Sequence, residues 1–298
     1  MDATLLSVGL GSGFSHALYA AGSKHLLKRR IPHPFLFLLY VNAFQAVVTP
    51  LIWLFVKPAF LPAAGWVPML ASVGTCVIAY FFLYASLSTG DVSSVMPMMG
   101  SKVIFSGLLA HWMLGERHSG SIYVAVLLVA VAVAALGYSP TQGRPGRFAL
   151  KPAGLMMACC IVFACTDVYI KRSLAFIDSF SFMVHYNALV AVGSLLAIPY
   201  LRRKGVSLQL TAGSAAMTLA TAAFLVTATM LFVLAFSLAD GVVVPNILMS
   251  SRGVFVVLFS ALASYGAGTA LDVQSKWVFL LRLAAAALIV FAIYLAMA

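Results

Sequence analysis

The chain has 298 residues, of which 63% are hydrophobic and only 8% charged, with a mean hydropathy of +1.06. That much apolar surface excludes a water-soluble domain, and with it an enzyme that needs one. The net charge of +11 does not make a nucleic-acid binder, because the basic residues gather at the ends of apolar stretches and not on one face.

A helix needs ~20 mostly apolar residues to cross a bilayer. Ten stretches qualify, near 3–23, 34–56, 66–88, 92–114, 119–138, 153–170, 180–200, 211–236, 241–265 and 277–297. The predicted fold class is all-α integral membrane, with ten transmembrane helices. The first stretch carries Ser15, His16 and Tyr19. It has no basic region before it and no small-residue cleavage site, so it reads as a span and not as a removable signal. Gly9 and Gly13 allow a close helix contact, within the chain or between copies. Pro50, Pro97 and Pro245 interrupt spans 2, 4 and 9, where the lost backbone donor kinks a helix. Cys76, Cys159, Cys160 and Cys165 all fall inside spans, fit no metal spacing and read as small packing residues.

The basic clusters Lys24, Lys28, Arg29 and Arg30; Arg144, Arg147 and Lys151; and Arg202, Arg203 and Lys204 follow spans 1, 5 and 7. The even-numbered connections hold Lys57, Arg117, Lys171 and Arg172. By the positive-inside rule the odd connections are cytoplasmic and both termini lie outside.

The chain is also written twice. Ala85–Met113 falls on Ala235–Ala263 without a gap, with Met99 on Met249, Ser101 on Ser251, Phe105 on Phe255 and Lys102 on Arg252. Separately, Asn42 falls on Asn187, in Tyr40-Val-Asn-Ala against His185-Tyr-Asn-Ala. An odd number of spans per copy turns the second copy over in the membrane, giving two inverted five-helix repeats. Their boundaries are 1–138 and 153–298, joined by a basic Gly- and Pro-rich linker, 139–152.

Lys102 and Arg252 are the leading site candidates. Both are cationic, both lie near the bilayer midplane, and a charge there is costly unless it faces a partner, a cavity or a substrate. Seven carboxylates are present; Asp167 in span 6 is the deep one. It is either a proton-coupling group or half of a structural pair with Lys171 one turn on, and the structural pair is favoured. Glu116 reads as a helix-end residue and Arg282 as a snorkelling one. Tyr80 and Tyr84, one turn apart, can line a site together with Tyr186, Asn187, His185 and Asn42.

These residues resemble a known group. Gly90-Asp91-Val92, Pro97 with Lys102, the Leu114-Gly115-Glu116-Arg117 ending, Asp240-Gly241-Val242, Pro245 and Ser251-Arg252-Gly253 follow the order seen in the drug/metabolite transporter superfamily and its EamA-type ten-helix members. His185-Tyr186-Asn187-Ala188 looks like a degraded nucleotide-sugar transporter motif. Lys102 and Arg252 look like the basic residues that grip phosphate in triose-phosphate translocators. The chain departs from these relatives at Ala188, at Gly253 and at Tyr265-Gly-Ala-Gly. The resemblance implies a secondary transporter, not an enzyme, working by alternating access on a small polar metabolite. The cations point to an anionic one, phosphorylated or carboxylated. The rival readings are an exporter of amino acids or neutral or cationic compounds, and a flippase for an anionic lipid. No cofactor or metal is expected. The expected partners are the substrate and a bilayer, with a bacterial inner membrane the best fit, and the chain acts as a monomer or homodimer.

Overall fold

The computed structural model describes residues 2–31, 33–54, 57–89, 96–137, 150–266 and 276–297, and every regular element among them is helical. The first repeat contributes α1 (Ala3–Arg29), α2 (Pro34–Val48, prolonged by a 3-10 turn over Thr49–Leu54) and α3 (Trp66–Thr89). A 3-10 turn over Met96–Ser101 then leads into α4 (Lys102–Leu114), and α5 (Gly120–Gly137) follows. The second repeat contributes α6 (Leu150–Ser173), α7 (Ser179–Ser194) with α8 (Ala197–Arg203), and α9 (Ala212–Leu238). It closes with α10 (Val243–Met249) with α11 (Arg252–Gly266), and α12 (Lys276–Met297).

Grouped as crossings, these helices follow the expected stretches, with two local departures. The first helix runs on to Arg29 because no strong breaker stands between Tyr19 and Arg30. The last three residues assigned to the linker, Leu150, Lys151 and Pro152, already belong to α6, since proline is tolerated in a first helical turn. The rest of the linker and the Gly90-Asp91-Val92 motif lie outside the described residues.

Local chemistry sets the helix ends. Asp2 Oδ1 accepts from the Thr4 amide at 2.8 Å, and Asp178 Oδ1 accepts from the amides of Phe180 and Ser181 at 3.0 Å each, capping α1 and α7. Gly115 closes α4 in the left-handed region at φ 70°, where glycine carries no steric penalty.

Six stretches are long and apolar enough to cross a membrane, among them Ala63–Thr89, Leu150–Ser173 and Ala212–Leu238. Gly120–Ala135 and Val243–Phe259 are shorter apolar helices. The first helix, with 27 residues, spans about 40 Å, but Ser7, Ser12, Ser15 and His16 dilute its apolarity. Large apolar side chains such as Trp112, Leu127, Val192 and Tyr294 point outward, as they do when the solvent is lipid.

The two repeats exchange partners. α3 of the first packs along α6 of the second, and its mate α9 packs along α1. α5 lies on its own mate α12, and α2 on α7. α4 lies on α6 as α11 lies on α1. Swapping the halves therefore maps this packing onto itself, as the repeat in the sequence leads one to expect. Hydroxyls repeat the scheme: Ser12 Oγ donates to the Ala228 carbonyl at 2.9 Å between α1 and α9, and Thr166 Oγ1 donates to Thr75 Oγ1 at 2.9 Å between α6 and α3.

The crossing ends form two layers. One holds the end of α1, the start of α2, the end of α3, the start of α6 and the end of α8. Ser86 Oγ donates to the Pro152 carbonyl at 2.6 Å there, and the His33 ring lies 5.8 Å from that of Tyr200. Lys24, Arg29, Arg30, Lys151, Arg202, Arg203 and Lys204 all belong to this layer. In the opposite layer, Lys171 Nζ donates to the carbonyls of Phe236 and Ala239 at 2.8 and 2.5 Å, and Arg172 Nη2 to that of Met113 at 2.5 Å. These two cations serve helix C-termini, which sharpens the charge difference between the layers.

Candidate functional site

Two broken crossings lead to the centre of the bundle. In the fourth, a 3-10 turn containing Pro97 gives way to α4 at Lys102. In the ninth, α10, containing Pro245, ends at Met249 and α11 resumes at Arg252. Each cation is thus the first residue of the resumed helix. A helix dipole disfavours positive charge at that end, and neither first turn contains an acidic residue. Local structure accounts for neither cation, so the explanation lies with what faces them.

Lys102 is compensated. Its Nζ donates to Asp167 Oδ2 at 2.9 Å and Oδ1 at 3.2 Å, and stands 4.8 Å from the centroid of the Phe232 ring. One turn along α4, Ser106 Oγ donates to Asp167 Oδ2 at 3.1 Å, and Asn246 Nδ2 on α10 donates to the same oxygen at 2.9 Å. Lys102 is 6% exposed and Asp167 2%. The expected Asp167–Lys171 pair does not form. Lys171 turns to the carbonyls that end α9, while the cation that meets Asp167 comes from α4, across the interface between repeats.

Arg252 is not compensated: it makes no hydrogen bond or ion pair with any of the described residues. Its charge acts on the thiols of Cys159 and Cys160 and on the His16 imidazole, and Lys102 acts on the same three groups. Both cations therefore lie near the same stretch of α1 and α6, which carries these three groups. Two buried polar atoms of the ninth crossing, Ser251 Oγ and Asn246 Oδ1, also lack partners. His16 Nδ1 donates to the Ser12 carbonyl at 3.1 Å, and its ring meets that of Phe232 edge-on at 6.4 Å.

The difference between the cations follows from the repeat. α1 passes the break before α11 at Gly13, where a Cβ would collide with Ser251 Oγ and lie 3.0 Å from the Arg252 backbone nitrogen. α6 passes the break before α4 at Cys160, whose Sγ lies 3.7 Å from Ser101 Oγ. Seven residues beyond Cys160 stands Asp167; seven beyond Gly13 stands Ala20. At equivalent positions α6 carries a carboxylate and α1 a methyl group. The Gly9–Gly13 contact is thus made within the chain, since a Cβ at Gly9 would come 2.6 Å from Leu248 Cβ.

The remaining candidates fall into four places. Tyr80 from α3 and Tyr186 from α7 both reach the Cys76 thiol, on which Asp167 and Lys102 also act. Tyr84 is 2% exposed and its hydroxyl pairs with that of Tyr19 at 3.2 Å. Asn42 and Asn187 belong to the packing of α2 on α7. Asn187 Nδ2 donates to Thr49 Oγ1 at 2.8 Å, and Asn42 Oδ1 accepts from Gln45 Nε2 at 2.9 Å. Asn42 Nδ2 is buried without a partner, beside a small cavity shared with Tyr80 and Ser194. His185 lies apart near the start of α7, where its Nδ1 donates to the Ser181 carbonyl at 2.8 Å and its ring meets Trp66 edge-on.

Three residues of the central cluster escaped sequence reasoning. Ser106 and Phe232 carry no signal in an apolar helix. Asn246 did carry one, as an amide inside Val-Val-Pro-Asn-Ile-Leu beside a helix-breaking proline. Glu116 does take the helix-end role expected of it, but for another crossing. Both its oxygens accept from the Val242 amide at 3.1 Å, at the start of α10. Gly241 leaves room for it, since a Cβ there would lie 2.5 Å from Glu116 Oε2.

The model of the EamA-like transporter family matches residues 4–138. No curated protein matches the chain. Among solved structures, 27 chains match. One, a protein crystal structure, superposes with a TM-score of 0.71 over 98% of this chain and 94% of its own, at 16% identity. That likeness is one of fold.

Proposed function

We propose that the chain, whose residues 4–138 match the model of the EamA-like transporter family, is a membrane transporter of the drug/metabolite type and carries a small anionic metabolite, phosphorylated or carboxylated, at Arg252. The observation behind this reading is the uncompensated arginine. A cation at the centre of a span costs at least ~2.5–3.5 kcal/mol on insertion scales, and Arg252 has no internal partner among the described residues. Its planar fork of donors suits a carboxylate or phosphate bidentately. The start of α11 adds the positive end of a helix dipole at the same point. Ser251 Oγ and Asn246 Oδ1 are available to a hydroxyl or amine on the same molecule, and Lys102 is the second cation within the region.

In inverted-repeat transporters the site lies near the midplane, where the halves meet, and rocking exposes it to each side in turn. The basic layer faces the cytoplasm by the positive-inside rule, with both termini opposite. A bacterial inner membrane is the proposed location.

Uptake by proteoliposomes tests the cargo class. A panel of labelled sugar phosphates and dicarboxylates is offered with unlabelled competitors of different charge. Anions alone compete, and Arg252→Ala loses uptake while Arg252→Lys keeps part of it. Equal competition by neutral or cationic amino acids, with wild-type rates in Arg252→Ala, makes the protein an exporter of a different cargo. Movement of labelled anionic lipid without uptake of any soluble compound makes it a flippase.

A further inference from the structure

We infer that Asp167 is the coupling residue of this transporter: an internal anion that occupies Lys102 while the site is empty, locks α4 to α6, and yields Lys102 to the arriving cargo. The inference rests on the anionic-cargo reading for what displaces Asp167, but not for the lock itself.

The lock joins the repeats. Lys102 and Ser106 come from α4 of the first, and Asp167 and Asn246 from α6 and α10 of the second, with every polar contact between 2.9 and 3.2 Å. Any motion that opens the centre by parting α4 from α6 must break the ion pair. Among the described residues, Lys102 then has no second carboxylate deep within a span, and Asp167 has no unengaged cation one turn away on its own helix. The next cation along α6, Lys171, is held by the carbonyls that end α9. Separating the pair with the site empty would strand two buried charges, which is strongly unfavourable.

An anion from outside changes this balance. It is the same kind of group as the carboxylate it replaces, and Arg252, which has no hydrogen-bond or ion-pair partner among the described residues, can receive it. Lys102 then gains a new partner, while Asp167 keeps the hydrogen bond of Asn246, which belongs to its own repeat. Among the described residues the centre holds two cations, Lys102 and Arg252, and one carboxylate, Asp167, so a bound monoanion balances those three charges. A loaded protein can therefore part α4 from α6 where an empty one cannot. Transport then proceeds by exchange, since the empty protein does not return on its own.

The thiol of Cys160 reports on opening, because it is buried beside Ser101 at the break before α4. The experiment uses the full chain in proteoliposomes with Cys160 as its one cysteine (Cys76, Cys159 and Cys165 replaced by alanine). The probe is a membrane-impermeant methanethiosulfonate, with inorganic phosphate as the test anion. Asp167→Asn is expected to raise the labelling rate about tenfold with no anion present. Asn246→Ala, which leaves both charges in place, is expected to raise it by a smaller factor. Phosphate is expected to raise it in the parent, and Arg252→Ala to remove the phosphate effect only.

Labelling of Asp167→Asn and Asn246→Ala at the parent rate overturns the lock, whatever phosphate does. If Asp167→Asn does not fold, parent-rate labelling of Asn246→Ala is decisive. Faster labelling of both variants with no phosphate effect upholds the lock and instead counts against the anionic cargo.

Discussion

Lys102 and Arg252 begin equivalent helices, yet Lys102 alone meets a carboxylate, because Asp167 stands on α6 where α1 carries Ala20. Substitutions should therefore act in opposite directions. Removing the lysine with Lys102→Met leaves Asp167 buried and uncompensated, which costs ~3–5 kcal/mol by analogy with other broken buried pairs. Adding Asp167→Leu to it should recover most of that loss. Arg252→Met should leave stability unchanged or raise it, since the arginine has no partner to strand among the described residues. Thermal unfolding in mild detergent measures all three, and a destabilised Arg252→Met would show that Arg252 is structural. Both cations were legible as charges inside apolar stretches. Their different fates were not, since Asp167 is 65 positions from Lys102 and four from Lys171, and sequence proximity favoured the wrong partner.

His33, in the connection between α1 and α2, gives a pH prediction. Its Nδ1 accepts from the Phe35 amide at 3.2 Å. Burial pushes its imidazole below the usual 6.5, and the Lys204 ammonium pushes the same way. The unfolded chain then binds the proton more readily than the folded one. The stability His33 contributes is present above pH ~6.5 and is lost as the pH falls below it. His33→Asn, which keeps a capping oxygen, should flatten that part of the pH–stability curve; an unchanged slope would contradict the assignment.

Among the elements, the interrupted crossings carry the most information. Proline marked both breaks in the sequence, and the structure places a cation at the restart of each. What the sequence could not show is how the breaks are held. Gly13 lets α1 approach the ninth crossing, so Gly13→Ala must displace Ser251 or the Arg252 backbone. Overpacking of this kind costs ~1–3 kcal/mol. Gly154→Ala on α6, where an added Cβ meets nothing within 4 Å, is the matched control and should be neutral or slightly stabilising. Equal melting temperatures for the two variants would contradict the close contact.

The start of α10 depends on Glu116 in the same way. Glu116→Ala should lose ~0.5–2 kcal/mol, as other lost N-caps do. Gly241→Ala should fail at the same junction, and the double variant should be less destabilised than the sum of the two. The Leu-Gly-Glu-Arg and Asp-Gly-Val segments looked like separate motifs because 126 positions separate the carboxylate from the amide it caps.

Over the whole molecule, hydropathy alone located the crossings, since a membrane span is a one-dimensional property. The inverted repeat was legible from two polar coincidences, Lys102 on Arg252 and Asn42 on Asn187. The structure assigns these different tasks: the first pair begins the resumed helices, whereas Asn187 ties α7 to Thr49 at the end of α2 and Asn42 bonds to Gln45 within α2. The exchange of partners, α3 on α6 and α1 on α9, is a property of packing that no single stretch of sequence carries. It explains why the centre is lined by both repeats, and why a residue of one repeat can answer a charge of the other.

The central claim is that Arg252 receives an anion, and ligand-dependent thermal stability of the purified protein tests it most directly. A ligand that binds the folded state alone raises the melting temperature. Sugar phosphates, carboxylates, nucleotides, amino acids and organic cations are screened against wild type, Arg252→Ala and Lys102→Ala. The account predicts stabilisation by one anionic class, abolished in Arg252→Ala, where a lost bidentate charge-assisted contact weakens affinity roughly 10–100-fold. Stabilisation by amino acids or cations that persists in Arg252→Ala would contradict it.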